Sequence, residues 1–528
     1  MPAMIVLPPD SPSEQDGERV DIKSLPSSSL QVDAICMDSL AFTTGDPIPL
    51  PPRFARIKEF LVAGRTALVH DSWRRLLVEL RSEVERIADF GPDIIPTIPF
   101  DDITRPEKVD AFKGEFRRCG VAIIRGVVPA YEAAQWQAET RQYLSMNPRT
   151  KSFPTRDPHL FGVYWTPAQI KGRAHPKVLA TQRFVMGMWH SKDTDALVST
   201  NFPVTYADRM RIPAPGGSAL YRNGHVDGGS VERWEPDGYG RAGTYEAIFQ
   251  GSWEDYDPWE SSTRLRVTSD LYNGAGSCSM FRMFQGFLSM AETSRAEGDL
   301  LLCPMLKLST AYFLLRPFFS PRVPLSASAS TASYLKEENW VLESQMSTVI
   351  QGALPSYTQE LNAVLHPHLC LNTTMVRIPA LQPGDYVLWH ADLVYGVDHR
   401  TMRTFSHHHI LPTSTASSNP APASISDANA TAIYIPACPL TQTNALYLAR
   451  QRKAFLLGYP PPDFGGGRGE SSHMGRPGVQ EINEAGDEAG LRAMGLLPWE
   501  EGEAATEEEV EVLRMANGIL FPDRYDMM

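Results

Sequence analysis

The sequence predicts an α+β chain with a mainly antiparallel β core and flanking helices, and three observations carry that expectation. Apolar residues recur at three- and four-residue spacing near the start, as in an amphipathic helix. From about residue 245, short β-branched and aromatic runs alternate with Gly, Pro and Asp, which is the texture of strands joined by turns. An acidic segment with helical character follows near the end.

Residues 1–55 are rich in Pro, Ser and Asp without periodicity and read as a flexible extension. In KEFLVAGRTALVHDSWRRLLVELRSEVERIADF the apolar spacing predicts one or two helices ending near Gly91, within a helical part spanning 56–115. FRRCGVAIIRGVVP is a compact apolar run closed by Gly126 and Pro129, and YEAAQWQAETRQYL after it has helical spacing, so the pair reads as strand, turn and helix. Strands are then expected in YEAIFQGSW, SCSMFRMFQGFLSM, GDLLLCPML, TTMVRIPAL, GDYVLWHADLVYGV and TAIYIPACPL, which gives a β core over about 116–440. Low-complexity residues 407–432 interrupt it as an exposed loop insertion that includes His407, His408 and His409. A helical part over 441–495 and an acidic tail over 496–528, with a surface helix in EEGEAATEEEVEVL, complete the chain.

The 528 residues are 42% hydrophobic and 21% charged, enough apolar material for a substantial core. With 49 Lys and Arg against 62 Asp and Glu, the net charge is −13 and no stretch is strongly basic, so nucleic acid is not an expected partner. No run of 18 apolar residues and no apolar leader are found, so an intracellular, cytoplasmic, membrane-free protein is expected. Six scattered cysteines without a C-x-x-C pair argue against a disulfide scaffold or a structural zinc site.

The chemistry is sought in NGHVDGGSVERW. Residues i and i+2 of a strand face the same side, so His225 and Asp227 present an imidazole nitrogen and a carboxylate oxygen to one ion. These are two members of the facial triad used by non-haem iron oxygenases, which leaves iron positions open for co-substrate and oxidant. Gly224, Gly228 and Gly229 allow close backbone approach beside them. Downstream, PGDYVLWHADLVYGVD has the turn, strand and polar residues among which a third ligand is sought.

The chain resembles the 2-oxoglutarate/Fe(II) oxygenase superfamily, near its phytanoyl-CoA hydroxylase-like members and a large oxygenase-like family of unknown function. The resemblance spans about Phe60 to Gly495 through RRCGVAIIRGVVP, GHVDGGSVERW, FRMFQGF, AEGDLLLCP, YFLLRPFF, GDYVLWHADLVYGVD, YIPACPLTQTNALYLARQRKAFLLG and PPDFGGGRGESSHMGR. It implies a double-stranded β-helix, or jelly roll, in one domain over 56–495. It also implies Fe(II), with 2-oxoglutarate and O2 as co-substrates, and a small organic molecule that is hydroxylated, desaturated or cyclised. His225 and Asp227 match its H-x-D. Where the related motif has its second His, this sequence has Tyr395, with His390 at the first.

Four arrangements follow: Tyr395 completes the site; a bulge delivers His390 or His399; the pair acts alone; or the site is degenerate and the protein a binding relative. The 2-oxoglutarate carboxylate needs a cation. Phe405 stands where many relatives carry Arg, with Arg403 two residues short, so Arg282 is preferred over Arg316. Trp234, Trp253, Phe281, Phe284 and Trp389 are candidate pocket walls. A cupin-type hydrolase or isomerase is the other rival, since it shares β architecture and histidine–carboxylate ligation.

Overall fold

The computed structural model describes residues 47–153, 160–212, 222–274, 278–293, 300–397 and 431–525. Nearly all of the expected extension and of the 407–432 insertion, together with His399, Arg403 and Phe405, lies outside them.

The chain is a mixed α/β structure. Its larger sheet has eight strands in the order Thr97–Pro99, Val121–Arg125, Tyr386–His390, Phe284–Ser289, Ala432–Tyr434, Met210–Arg211, Leu160–Phe161 and Ser152–Phe153. A five-stranded sheet runs Gln359–Leu361, Arg222–Val226, Tyr395–Val397, Leu300–Leu302 and Val376–Arg377. All these pairings are antiparallel except that of Thr97–Pro99 with Val121–Arg125. Val121 to Ile124 are fully buried between two neighbours, which explains their unbroken apolar run.

The N-terminal periodicity becomes helices Arg53–Val62 and Thr66–Phe90, the second closed by Gly91 at φ 55°. The longer one buries Trp73, Leu76, Leu80 and Ile87, and the Trp73 ring stacks on Phe319 at 4.4 Å between centroids. In FRRCGVAIIRGVVP the first four residues belong to helix Pro106–Cys119, which Gly120 ends in the left-handed region.

One strand expectation is corrected. YEAIFQGSW forms the helical turn Glu246–Phe249 and a 3-10 turn Trp253–Asp255, bracketed by Gly243 and Gly251 at positive φ. YFLLRPFF belongs to helix Leu306–Leu315 and the turn after it. Eight of its ten residues are buried, so it shows no amphipathic period that would separate it from a buried strand.

The acidic segment does form helix Glu507–Leu520, with three glutamates in its first turn where the helix dipole favours them. One face nevertheless packs Val512, Leu513, Ala516 and Leu520 into a core cluster with Leu440 and Leu448. Among the described residues, no helix is long and apolar enough to cross a membrane.

Candidate functional site

His225 and Tyr395 are direct partners in the antiparallel pairing of Arg222–Val226 with Tyr395–Val397. Their side chains therefore leave the sheet side by side, with ring centroids 4.1 Å apart. Asp227 follows at the strand end. Its Oδ1 is 3.8 Å from His225 Nε2, and its Oδ2 accepts a hydrogen bond from the Tyr395 hydroxyl. His225 is fully buried, whereas the Asp227 side chain is 21% exposed and opens onto the cavity.

The loop after Asp227 is fastened by three consecutive carbonyls. Arg233 donates to Asp227 O at 2.6 Å and Gly229 O at 2.7 Å, while Tyr239 donates to Gly228 O at 2.6 Å. Gly229 has φ 102°, and a Cβ there would lie 2.7 Å from Ser269 O, so the turn requires glycine. Beneath it, Asp392 accepts from Tyr245 at 3.0 Å, Arg264 at 2.6 Å and Tyr256 at 3.2 Å, all buried. Burial opposes ionisation of Asp392, but the Arg264 guanidinium outweighs it and holds the carboxyl below its usual range.

His390 does not join the cluster. Its strand partner is Phe284, and its ring stacks on Trp189 with centroids 4.7 Å apart. Nε2 lies 2.9 Å from Pro258 O and Nδ1 accepts from Asp392 N at 3.0 Å, so both nitrogens are occupied. Burial lowers its pKa to about 4, keeping it neutral with Nε2 as donor. The preceding residue, Trp389, leaves the opposite face of the strand and lines the cavity.

A cavity of about 260 Å³ lies between the two sheets. Gln285, Phe287 and Trp389 face it from the larger sheet, and His225 and Tyr395 from the smaller. Arg282 reaches the same cavity, with its guanidinium 5.8 Å from the Tyr206 ring centroid. Burial alone would lower its pKa, yet neighbouring Cys278, Tyr206 and Asp227 hold it above the ordinary value. Arg282 makes no hydrogen bond or ion pair among the described residues, so its charge stays available to a ligand in the cavity.

Arg316 is structural instead, donating to Leu365 O at 2.9 Å and Phe319 O at 2.8 Å over the Trp340 ring. Of the aromatic candidates, Trp389 lines this cavity. Trp234 and Phe284 are packed in the core, Trp253 is buried, and Phe281 faces a separate cavity of about 80 Å³ that Arg282 and Asp227 also line.

The donor atoms suit a first-row metal ion. Two donors about 2.1 Å from one ion stand about 3 Å apart when adjacent in its shell, so His225 Nε2 and Asp227 Oδ1 need to close by less than about 1 Å. A third donor of the usual kind is missing: among the described residues, no three His, Cys, Asp or Glu side chains converge. Tyr395 stands beside the pair as a phenol bonded to Asp227.

The Gig2-like family pattern matches residues 48–496. The chain belongs to that family. Its Gig2-like fold aligns with the structure of GlcNAc Inducible Gene 2 from Candida albicans at TM-score 0.75 and 27% identity, over 90% of this chain and 96% of that one. A Salmonella typhimurium LT2 protein provisionally named an oxidoreductase aligns at TM-score 0.65 and 25% identity, over 85% and 98%. The uncharacterized protein YbiU of Escherichia coli K12 is 25% identical over 427 residues, 79% of this chain and 88% of its own length.

Proposed function

We propose that this Gig2-like chain is a non-haem iron, 2-oxoglutarate-dependent oxygenase acting on a small organic molecule, with its two sheets as the walls of a double-stranded β-helix. The supporting observation is the meeting of His225, Asp227 and Tyr395 on one side of a cavity that also holds Arg282. The provisional oxidoreductase name of the Salmonella relative agrees with this reading.

His225 Nε2 and Asp227 Oδ1 would hold the iron. The Tyr395 hydroxyl donates a hydrogen bond to Asp227 Oδ2, which fixes the carboxylate with Oδ1 toward His225. Arg233 and Tyr239 hold the backbone that carries Asp227, so the donor pair sits on a braced loop. Arg282 anchors the 2-oxoglutarate carboxylate by charge-assisted hydrogen bonds. When bound, Fe(II) supplies oxygen activation coupled to oxidative decarboxylation of 2-oxoglutarate to succinate and CO2, the chemistry the side chains lack. The apolar walls, with Phe287 and Trp389, exclude water and orient the substrate. The negative net charge favours a small-molecule substrate over nucleic acid, and a cytoplasmic location is part of the proposal.

Incubation in air with Fe(II) and 2-oxoglutarate should form succinate, and His225→Ala should abolish it. Iron-independent turnover that persists under argon would favour the cupin-type alternative instead.

A further inference from the structure

Gln285 and Trp389 are direct partners in the antiparallel pairing of Phe284–Ser289 with Tyr386–His390, so their side chains leave the sheet together. Both line the cavity, and they are only 4% and 3% exposed. Neither Gln285 Nε2 nor Trp389 Nε1 has a hydrogen-bond partner among the described residues. Buried N–H groups are ordinarily paired, so two adjacent exceptions on a cavity wall point to an acceptor brought by a ligand. Trp73, Trp189 and Trp253 also lack a partner, but none of them lines this cavity.

The charge of the wall narrows the ligand. Arg282 lines the same cavity and makes no hydrogen bond or ion pair among the described residues, which places a guanidinium beside the two neutral donors. Paired neutral donors beside a guanidinium suit a planar anion with two oxygens.

We propose that Gln285 and Trp389 form a paired N–H subsite for a ligand carboxylate, with Arg282 supplying the charge. The two neutral donors orient the carboxylate and the guanidinium attracts it. The oxygenase reading enters only through the ligand's identity: the carboxylate belongs either to 2-oxoglutarate or to an acid substrate.

The test compares the wild-type protein with Gln285→Leu and Trp389→Phe by calorimetry, without added iron, using 2-oxoglutarate and benzoate as probes. Each variant is expected to lose about tenfold in affinity for the carboxylate that occupies the subsite. Weakened 2-oxoglutarate binding assigns the subsite to the co-substrate, and weakened benzoate binding alone assigns it to an acid substrate. The ligand-free Gln285→Leu protein should melt no lower than wild type, because its lost donor had no acceptor. If Trp389→Phe loosens the packing, Gln285→Leu carries the test alone. The proposal is overturned if neither carboxylate binds wild type at millimolar concentration, or if both variants bind as wild type does. Carboxylate binding that persists when Fe(II) produces no spectral change would remove the iron reading and leave this subsite standing.

Discussion

Replacing Tyr395 by Phe removes one hydroxyl and keeps the ring that packs against His225 and Trp389. The bond it donates to Asp227 Oδ2, on a side chain 21% exposed, is lost. A hydrogen bond to a charged group contributes about 1.5–3 kcal/mol when well shielded, and partial exposure places this one near the lower end. As an orienting group beside a metal ligand, its removal should weaken metal affinity about 10–100-fold, which corresponds to about 1.4–2.7 kcal/mol. Anaerobic Fe(II) titration of wild type, Tyr395→Phe and Tyr395→His reads this directly. The account predicts weakened binding with Phe, binding restored or tightened with His, and no phenolate-to-iron band in the visible spectrum of the ferric wild-type protein. Unchanged affinity in Tyr395→Phe would refute the orienting role. An intense phenolate band would make Tyr395 a ligand instead.

Three further outcomes are expected. Arg282→Met should weaken 2-oxoglutarate binding by about 10–100-fold, as loss of a charge-assisted anchor does, with Arg282→Lys intermediate; equal affinities in all three proteins would exclude Arg282 as the anchor. His390→Gln should lower stability in urea by about 1–3 kcal/mol, since it disturbs bonds to Pro258 O and Asp392 N, while Fe(II) affinity stays near wild type; lost iron binding in a folded variant would return His390 to the site. Glu470 is fully buried, and burial raises its pKa from 4.5 to about 7 despite hydrogen bonds from the Tyr164 and Trp165 amides. Its stabilising contribution is therefore complete below about pH 4.5 and lost as pH climbs through 7. Glu470→Gln should accordingly match wild type near pH 5 and exceed it by about 1–3 kcal/mol at pH 8 in denaturant titrations, whereas parallel pH profiles would contradict the shift.

Parts of this site are legible in sequence because they are local. His225, Asp227 and the glycines after them lie within five residues, and strand alternation puts the two side chains on one side. Tyr395 was singled out by the motif of the resembled family, and the structure pairs it with His225. Alternation also separates His390 from Trp389, whose neighbouring strand positions face a core stack and the cavity respectively.

The supports were not legible. Asp392 gathers Tyr245, Tyr256 and Arg264 from 147, 136 and 128 residues away, and nothing periodic marks such a convergence. Arg233 was visible in NGHVDGGSVERW, but its bonds to the Asp227 and Gly229 carbonyls depend on a glycine turn that folds the chain back. The strand error in YEAIFQGSW has a local cause: the helical turn EAIF is only four residues long, too short to show a helical period, so its apolar run reads equally as a strand.

The central claim is that His225 and Asp227 hold iron to which 2-oxoglutarate binds. Anaerobic addition of Fe(II) and then 2-oxoglutarate to the wild-type protein tests it most directly. The account predicts a visible metal-to-ligand charge-transfer band that is absent from His225→Ala; no band in wild type, with no succinate formed in air, would contradict it.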